Sequence, residues 1–186
     1  MGTAVRLVVL LFGVATMARG ATLRLESRYL TLEVNPATGH WALTDARSGA
    51  RWPTRGWATA GSAPQLRGGF ATASRLGRNA LRLEKKNGAA VEFRITDRGR
   101  SLQISYANVP TLTTLGDLLA ITDSDGGYAI VPCREGLLVP VEGKRSFRRP
   151  FPTSAYSGCH MNMLGLVKGG SALLVTWDDA YVVPTL

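Results

Sequence analysis

Leu81-Arg82-Leu83-Glu84, Asn87-Gly88, Val91-Glu92-Phe93-Arg94-Ile95-Thr96, Asp97-Arg98-Gly99 and Leu102-Gln103-Ile104-Ser105-Tyr106 follow one another in a single stretch of this sequence. Apolar and polar residues alternate through each run, which is the period of a strand with one face buried and one wet. Asn-Gly is the strongest short hairpin signal, because both residues tolerate the left-handed backbone that a tight reversal needs. A slip of one residue would turn every apolar side chain into water, so the register is well specified. The stretch predicts a three-stranded antiparallel meander.

The same alternation extends towards both ends. Leu23 and Leu25, then Leu30, Leu32 and Val34, then Trp41 and Leu43 each occupy one face of a short run. Asn35-Pro36-Ala37-Thr38-Gly39 separates the last two. There Pro36 presets φ, Asn35 can accept from the backbone ahead, and Gly39 tolerates positive φ. Asp45 to Gly49 reverses the chain again before Trp52. Residues 53–78, rich in Gly, Ala, Ser, Thr and Arg, read as a long connection with one irregular strand. Leu112, Leu115 and Leu119 have helical spacing and predict at most one short helix. Tyr128–Val131, Leu137–Val141, Met163–Val167, Leu173–Trp177 and Tyr181–Val183 return to strand. Several of these runs are continuously apolar, as expected for strands covered on both faces. About ten to twelve short strands in one domain predict an all-β antiparallel sandwich with large sheets.

The N-terminus is a basic end, an apolar run from Leu7 to Val14, and small residues up to Gly20. This is the pattern of an export signal at residues 1–20, with Ala18 and Gly20 at the processing site. The run is too short for a membrane anchor, which needs about 20 apolar residues, and no other run approaches one. Export to the periplasm or the medium leaves residues 21–186, the size of one domain. The net charge is +9, carried mostly by arginine. The arginines are scattered, and only Lys144-Arg145-Ser146-Phe147-Arg148-Arg149 is a basic run. A nucleic-acid groove would need a continuous basic track with stacking aromatics, so nucleic acid is not an expected partner. Cys133 and Cys159 are the only cysteines. In an oxidising compartment they read either as a disulfide, which would contribute about 3 kcal/mol, or as two separate buried thiols.

No nucleophile elbow, phosphate loop, zinc-protease helix or paired-cysteine motif occurs, and no cofactor or metal is expected. His40 and His160 are the only histidines. His40 follows a turn on the polar side of its strand, and His160 lies among sulfur-bearing neighbours; both read as non-catalytic. Secreted β-rich proteins often act on glycans through paired acids, and the candidates are Asp123, Asp125, Glu135, Glu142, Asp178 and Asp179. Glu135, before a glycine in a turn, reads as solvated or paired with arginine rather than catalytic, and it and Asp178 are kept as candidates for carbohydrate binding. Asp123-Ser124-Asp125-Gly126-Gly127 reads as an acidic turn rather than a cation loop. Trp41 and Trp177 sit in strand patterns and read as core. Trp52 and Trp57 flank a loop and are the better candidates for stacking on a sugar.

The stretch from Tyr29 to Trp52 has a further property. A strand, a turn ending Thr38-Gly39, a strand, and a second turn at Ser48-Gly49 before Trp52 occur in that order. This resembles the opening hairpins of the β-sandwich domain that precedes the catalytic barrel in several large glycoside hydrolases, endo-α-N-acetylgalactosaminidases among them. Gly127-Tyr128-Ala129-Ile130-Val131-Pro132, Glu135-Gly136-Leu137-Leu138-Val139-Pro140, and Met163-Leu164-Gly165 through Trp177 agree with it in order. The resemblance implies a supersandwich of the galactose-mutarotase type, used as an N-terminal scaffold of a longer protein. It implies that the catalytic carboxylates belong to a downstream barrel, so that this chain itself is non-catalytic. Its expected partners are then a glycan or that catalytic domain. Two other functions compete: a free-standing glycan-binding or surface-interaction module, and a small aldose epimerase acting through His40 or His160. The epimerase is the poorer match, because the sequence contexts of its catalytic Glu and paired His are not found.

Overall fold

The computed structural model describes residues 21–54, 66–109, 126–133, 135–142 and 161–178. The strands are β1 (Leu23–Glu26), β2 (Leu30–Val34), β3 (Trp41–Asp45), β4 (Arg51–Pro53), β5 (Thr72–Arg75) and β6 (Ala80–Glu84). They continue as β7 (Ala90–Thr96), β8 (Ser101–Ala107), β9 (Tyr128–Val131), β10 (Leu137–Pro140), β11 (Met163–Lys168) and β12 (Ser171–Thr176). All pairings are antiparallel. The protein is all-β and sandwich-like, as its alternation predicts. The expected signal segment at residues 1–20, the short helix expected near Leu112–Leu119 and the strand expected at Tyr181–Val183 lie outside the described residues.

Instead of large sheets, the strands form three sheets of four, in the orders β1-β2-β3-β4, β5-β6-β7-β8 and β10-β9-β11-β12. The reason lies in the connections. Within the first two sheets every strand reverses through a short turn onto its neighbour, whereas residues 54–71 and 108–127 are long enough to start a new sheet. The third sheet departs from a simple meander, because β9 lies between β10 and β11.

The turns form for the reasons their residues suggest. Asn35 Oδ1 accepts from Ala37 N at 2.9 Å and Thr38 N at 3.3 Å, and Gly39 takes φ +76°. In the second hairpin the Lys85 N–H donates to Ala89 O at 2.8 Å, and Gly88 has φ +82°. β7 pairs with β8 over its full length, from Ala90↔Ala107 to Thr96↔Ser101. The alternation in β7 runs Val91, Phe93 and Ile95 inward and Glu92 and Arg94 outward.

One buried cluster joins the three sheets, with Leu25, Leu32 and Trp52 from the first, Leu83 and Phe93 from the second, and Val131 and Leu166 from the third. Trp41 meets Phe93 edge to face, with ring centroids 5.6 Å apart. Leu66, within the segment expected to be a long connection, is fully buried in the same cluster. The chain behind it is pinned by Lys85, whose ammonium donates to Arg67 O at 2.7 Å, to Gly69 O at 2.8 Å and to Gly68 O. The ammonium also sits 4.3 Å from the centre of the Phe70 ring.

Candidate functional site

The residues singled out for sugar binding differ in their exposure. Trp52 is on β4 and only 2% exposed, so it belongs to the core and not to a loop rim. Its ring is covered from the third sheet by the Lys168 ammonium, 5.1 Å from the ring centre. The assignment of Trp52 as a stacking platform is therefore corrected: a ring that sealed offers no face to a ligand. Three-residue β4, between a turn and a glycine-rich connection, is too short for its alternation to be read. Trp57 lies outside the described residues. Glu135 stands exposed in the turn between β9 and β10, and Asp178 is exposed just beyond β12. Among the described residues these two acids share no hydrogen bond or ion pair with each other or with Trp52.

Cys133 is buried and carries a free thiol in this structure, while Cys159 lies outside the described residues. So do His160, Asp123 and Asp125. His40 is exposed, as its place after a turn suggests, and Trp41 is core. Trp177 is half-buried against the core cluster. Among the described residues no three His, Cys, Asp or Glu side chains gather as a metal site. None of the described helical segments is long and apolar enough to cross a membrane.

The outward faces of the three sheets differ in kind. On the first sheet, Arg24 pairs with Glu26 at 2.6 Å and Arg51 with Glu33 at 3.5 Å. On the second, Arg82 pairs with Glu84 at 3.3 Å and Arg94 with Glu92 at 2.5 Å. These are ordinary solvated faces. On the third, the register aligns Leu138, Ile130, Gly165 and Leu174 in one row across all four strands. Tyr128 and Val167 face each other in the next row. Leu138 is 69% exposed and Leu174 61%. Gly165 lets Ile130 lie across the sheet: a Cβ there would stand 3.0 Å from Ile130 Cβ and 3.1 Å from its Cδ1. The result is an apolar surface without a charge in either row.

The expectation that these apolar strands are covered on both faces is thus met on one face only. Ala129, Val131, Leu164, Leu166 and Val139 turn inward, and the other set meets solvent. An apolar run announces that neither face is built for water, but it does not say what covers each. The largest contiguous apolar patch on a folded protein, commonly about 300–600 Å², is often a functional surface.

Fold and surface together define an all-β, antiparallel, sandwich-like domain with one apolar sheet face turned outward. No protein-family model matches the chain, and no curated protein is significantly similar to it.

Proposed function

We propose that the chain is a non-catalytic accessory domain of a secreted carbohydrate-active enzyme, and that the outward face of the third sheet docks it on the catalytic domain. The observation that supports this reading is the contrast between that face and the two salt-bridged ones. The scale of the face agrees with a tethered partner. Four strands about 4.8 Å apart, each of roughly five residues rising about 3.3 Å, present roughly 300 Å². Two such faces bury roughly 600 Å², within the range for domains of one polypeptide and below the roughly 1,200 Å² of a free-standing complex. The export signal and the ordered resemblance supply the enzymatic setting.

Two measurements on the purified mature chain test the reading. It is expected to bind a hydrophobic dye and to associate weakly as concentration rises, both abolished in Leu138→Lys/Leu174→Lys with little change in Tm. A chain that binds no dye and stays monomeric at high concentration removes the docking face. It is also expected not to hydrolyse aryl glycosides. Turnover that disappears on changing Glu135 or Asp178 removes the non-catalytic assignment.

A further inference from the structure

A second feature lies away from the apolar face and does not depend on the accessory-domain reading. Tyr29 precedes β2, and two guanidinium groups approach its ring. Arg28 Cζ is 4.9 Å from the ring centroid and Arg100 Cζ is 5.0 Å from it. Arg100 Nη2 also donates to Tyr29 Oη at 3.4 Å. The two charges therefore lie within about 10 Å of each other, roughly one Debye length at 0.1 M salt, where like charges still repel.

The arginines of the two solvated sheet faces solve this problem with glutamate partners: Arg24, Arg51, Arg82 and Arg94 each have one. Arg28, Arg98 and Arg100 are exposed and, among the described residues, form no ion pair. Asp97 is the nearby acid and acts on Arg100 through its field, without a salt bridge. Arg98, in the same turn, adds a third positive charge to the region.

The backbone that carries them is held, not loose. Asp97 and Arg98 have φ of +46° and +52°, which is costly for residues with a Cβ, and Gly99 follows at +93°. Such conformations persist where surrounding contacts over-determine them, and they gather at ligand sites. The contact here is Ser27. Its Oγ donates to Gly99 O at 2.7 Å and accepts from Tyr29 N at 3.1 Å and Leu30 N at 2.9 Å. One hydroxyl thus joins the turn bearing Arg28 and Tyr29 to the turn bearing Arg98 and Arg100. A side chain at Gly99 would come within 2.8 Å of Ser27 Cβ, so the approach requires glycine.

We propose that Arg28 and Arg100, braced on Tyr29 and reinforced by Arg98, form a binding site for an oxyanion, namely a carboxylate, sulfate or phosphate group. Planar guanidinium forks suit such groups because each offers two parallel N–H donors. Stacking on the ring restrains the forks, because the ring face attracts each cation. The anion would supply the direct ion-pair partner that neither Arg28 nor Arg100 has among the described residues. Its source is either a free ion or a group carried on a glycan.

Calorimetric titration of the mature chain at low ionic strength separates these cases. The probes are sodium sulfate, a sulfated hexasaccharide and a neutral hexasaccharide. Saturable binding of a sulfate-bearing probe is expected, weakened at least about tenfold in Arg28→Ala/Arg100→Ala. Arg67→Ala/Lys86→Ala removes the same charge from exposed positions at the opposite end of the first two sheets and is expected to bind as the unaltered chain does. Sulfate displacing the oligosaccharide at similar affinity identifies a free-ion site. A much tighter sulfated hexasaccharide identifies a glycan-borne group. Equal loss in both double variants reduces the effect to net charge and overturns the site, as does the absence of saturable binding.

Discussion

Ser171 Oγ donates to Asp45 Oδ2 at 3.0 Å, joining the first residue of β12 to the last residue of β3, 126 positions apart in sequence. The same carboxylate accepts from Ser48 Oγ at 2.7 Å and from Arg47 N at 2.9 Å. One side chain therefore closes the turn after β3 and ties the first sheet to the third.

These donors, Ser48 first and then the Arg47 N–H, hold the Asp45 carboxyl below the usual aspartate value. A depressed folded-state value means that Asp45 adds stability that is complete above the unfolded value of about 3.9 and is lost as pH falls through the folded one. Asp45→Ala is expected to lower stability at pH 7 by about 1–2 kcal/mol. Denaturation midpoints at pH 7, 5 and 3 check this: the gap between variant and unaltered chain is the same at pH 7 and 5 and narrows only at pH 3.

Lys85 carries the opposite sign. Burial pushes its pKa down to about 8, while the unfolded chain keeps a lysine near 10.4. Between those values the unfolded state binds more protons, so stability rises with pH across the window. The three carbonyl acceptors favour the ammonium and make the rise shallow. Lys85→Met is expected to flatten it and, at pH 7, to cost about 1.5–3 kcal/mol by leaving the carbonyls of residues 67–69 without their charged donor. Hydrogen exchange in residues 66–70 is the local readout.

Phe93 is fully buried where the second sheet meets Trp41 of the first. Phe93→Ala is expected to destabilise by about 3–5 kcal/mol through lost transfer energy and a residual cavity. Trp41→Phe is expected to be milder. It reduces packing, but it also removes a buried indole N–H that, among the described residues, has no hydrogen-bond partner. Thermal or denaturant unfolding orders the two.

Gly69 faces backbone at a distance that only glycine permits: a Cβ there would lie 2.5 Å from Ala37 O. Phe70 N donates to Pro36 O at 2.8 Å beside it. Gly69→Ala must therefore part the 66–70 segment from the Asn35–Gly39 turn, at about 1–3 kcal/mol. Gly68→Ala tests a different effect, since among the described residues nothing stands within 4 Å of its Cβ position and its φ of +72° opposes the change. A smaller loss of Tm is expected for Gly68→Ala than for Gly69→Ala.

Much of the scaffold is legible in the residues, for reasons that remain local. Val91, Phe93 and Ile95 face inward because their neighbours Glu92 and Arg94 cannot, and Asn87-Gly88 joins strands whose register that alternation sets. Asn35 caps its own turn as its side chain predicts. Trp52 was not legible, because one residue in a strand of three has no pattern around it. Leu66 was hidden in the same way, inside a segment whose composition is that of a loop. Neither Arg28 nor Arg100 stands out among scattered arginines until the Ser27 hydroxyl brings their turns together.

By itself, the order of residues determined that this chain forms antiparallel strands, where most of them turn, and which side of each charged strand is wet. These depend on contacts a few residues long. Only the tertiary structure decided that the strands divide into three sheets, that Trp52 is sealed, and that the third sheet keeps an apolar face in solvent. Those outcomes depend on which distant surfaces meet, and burial is a property of the assembled neighbours, not of the strand that carries the side chain.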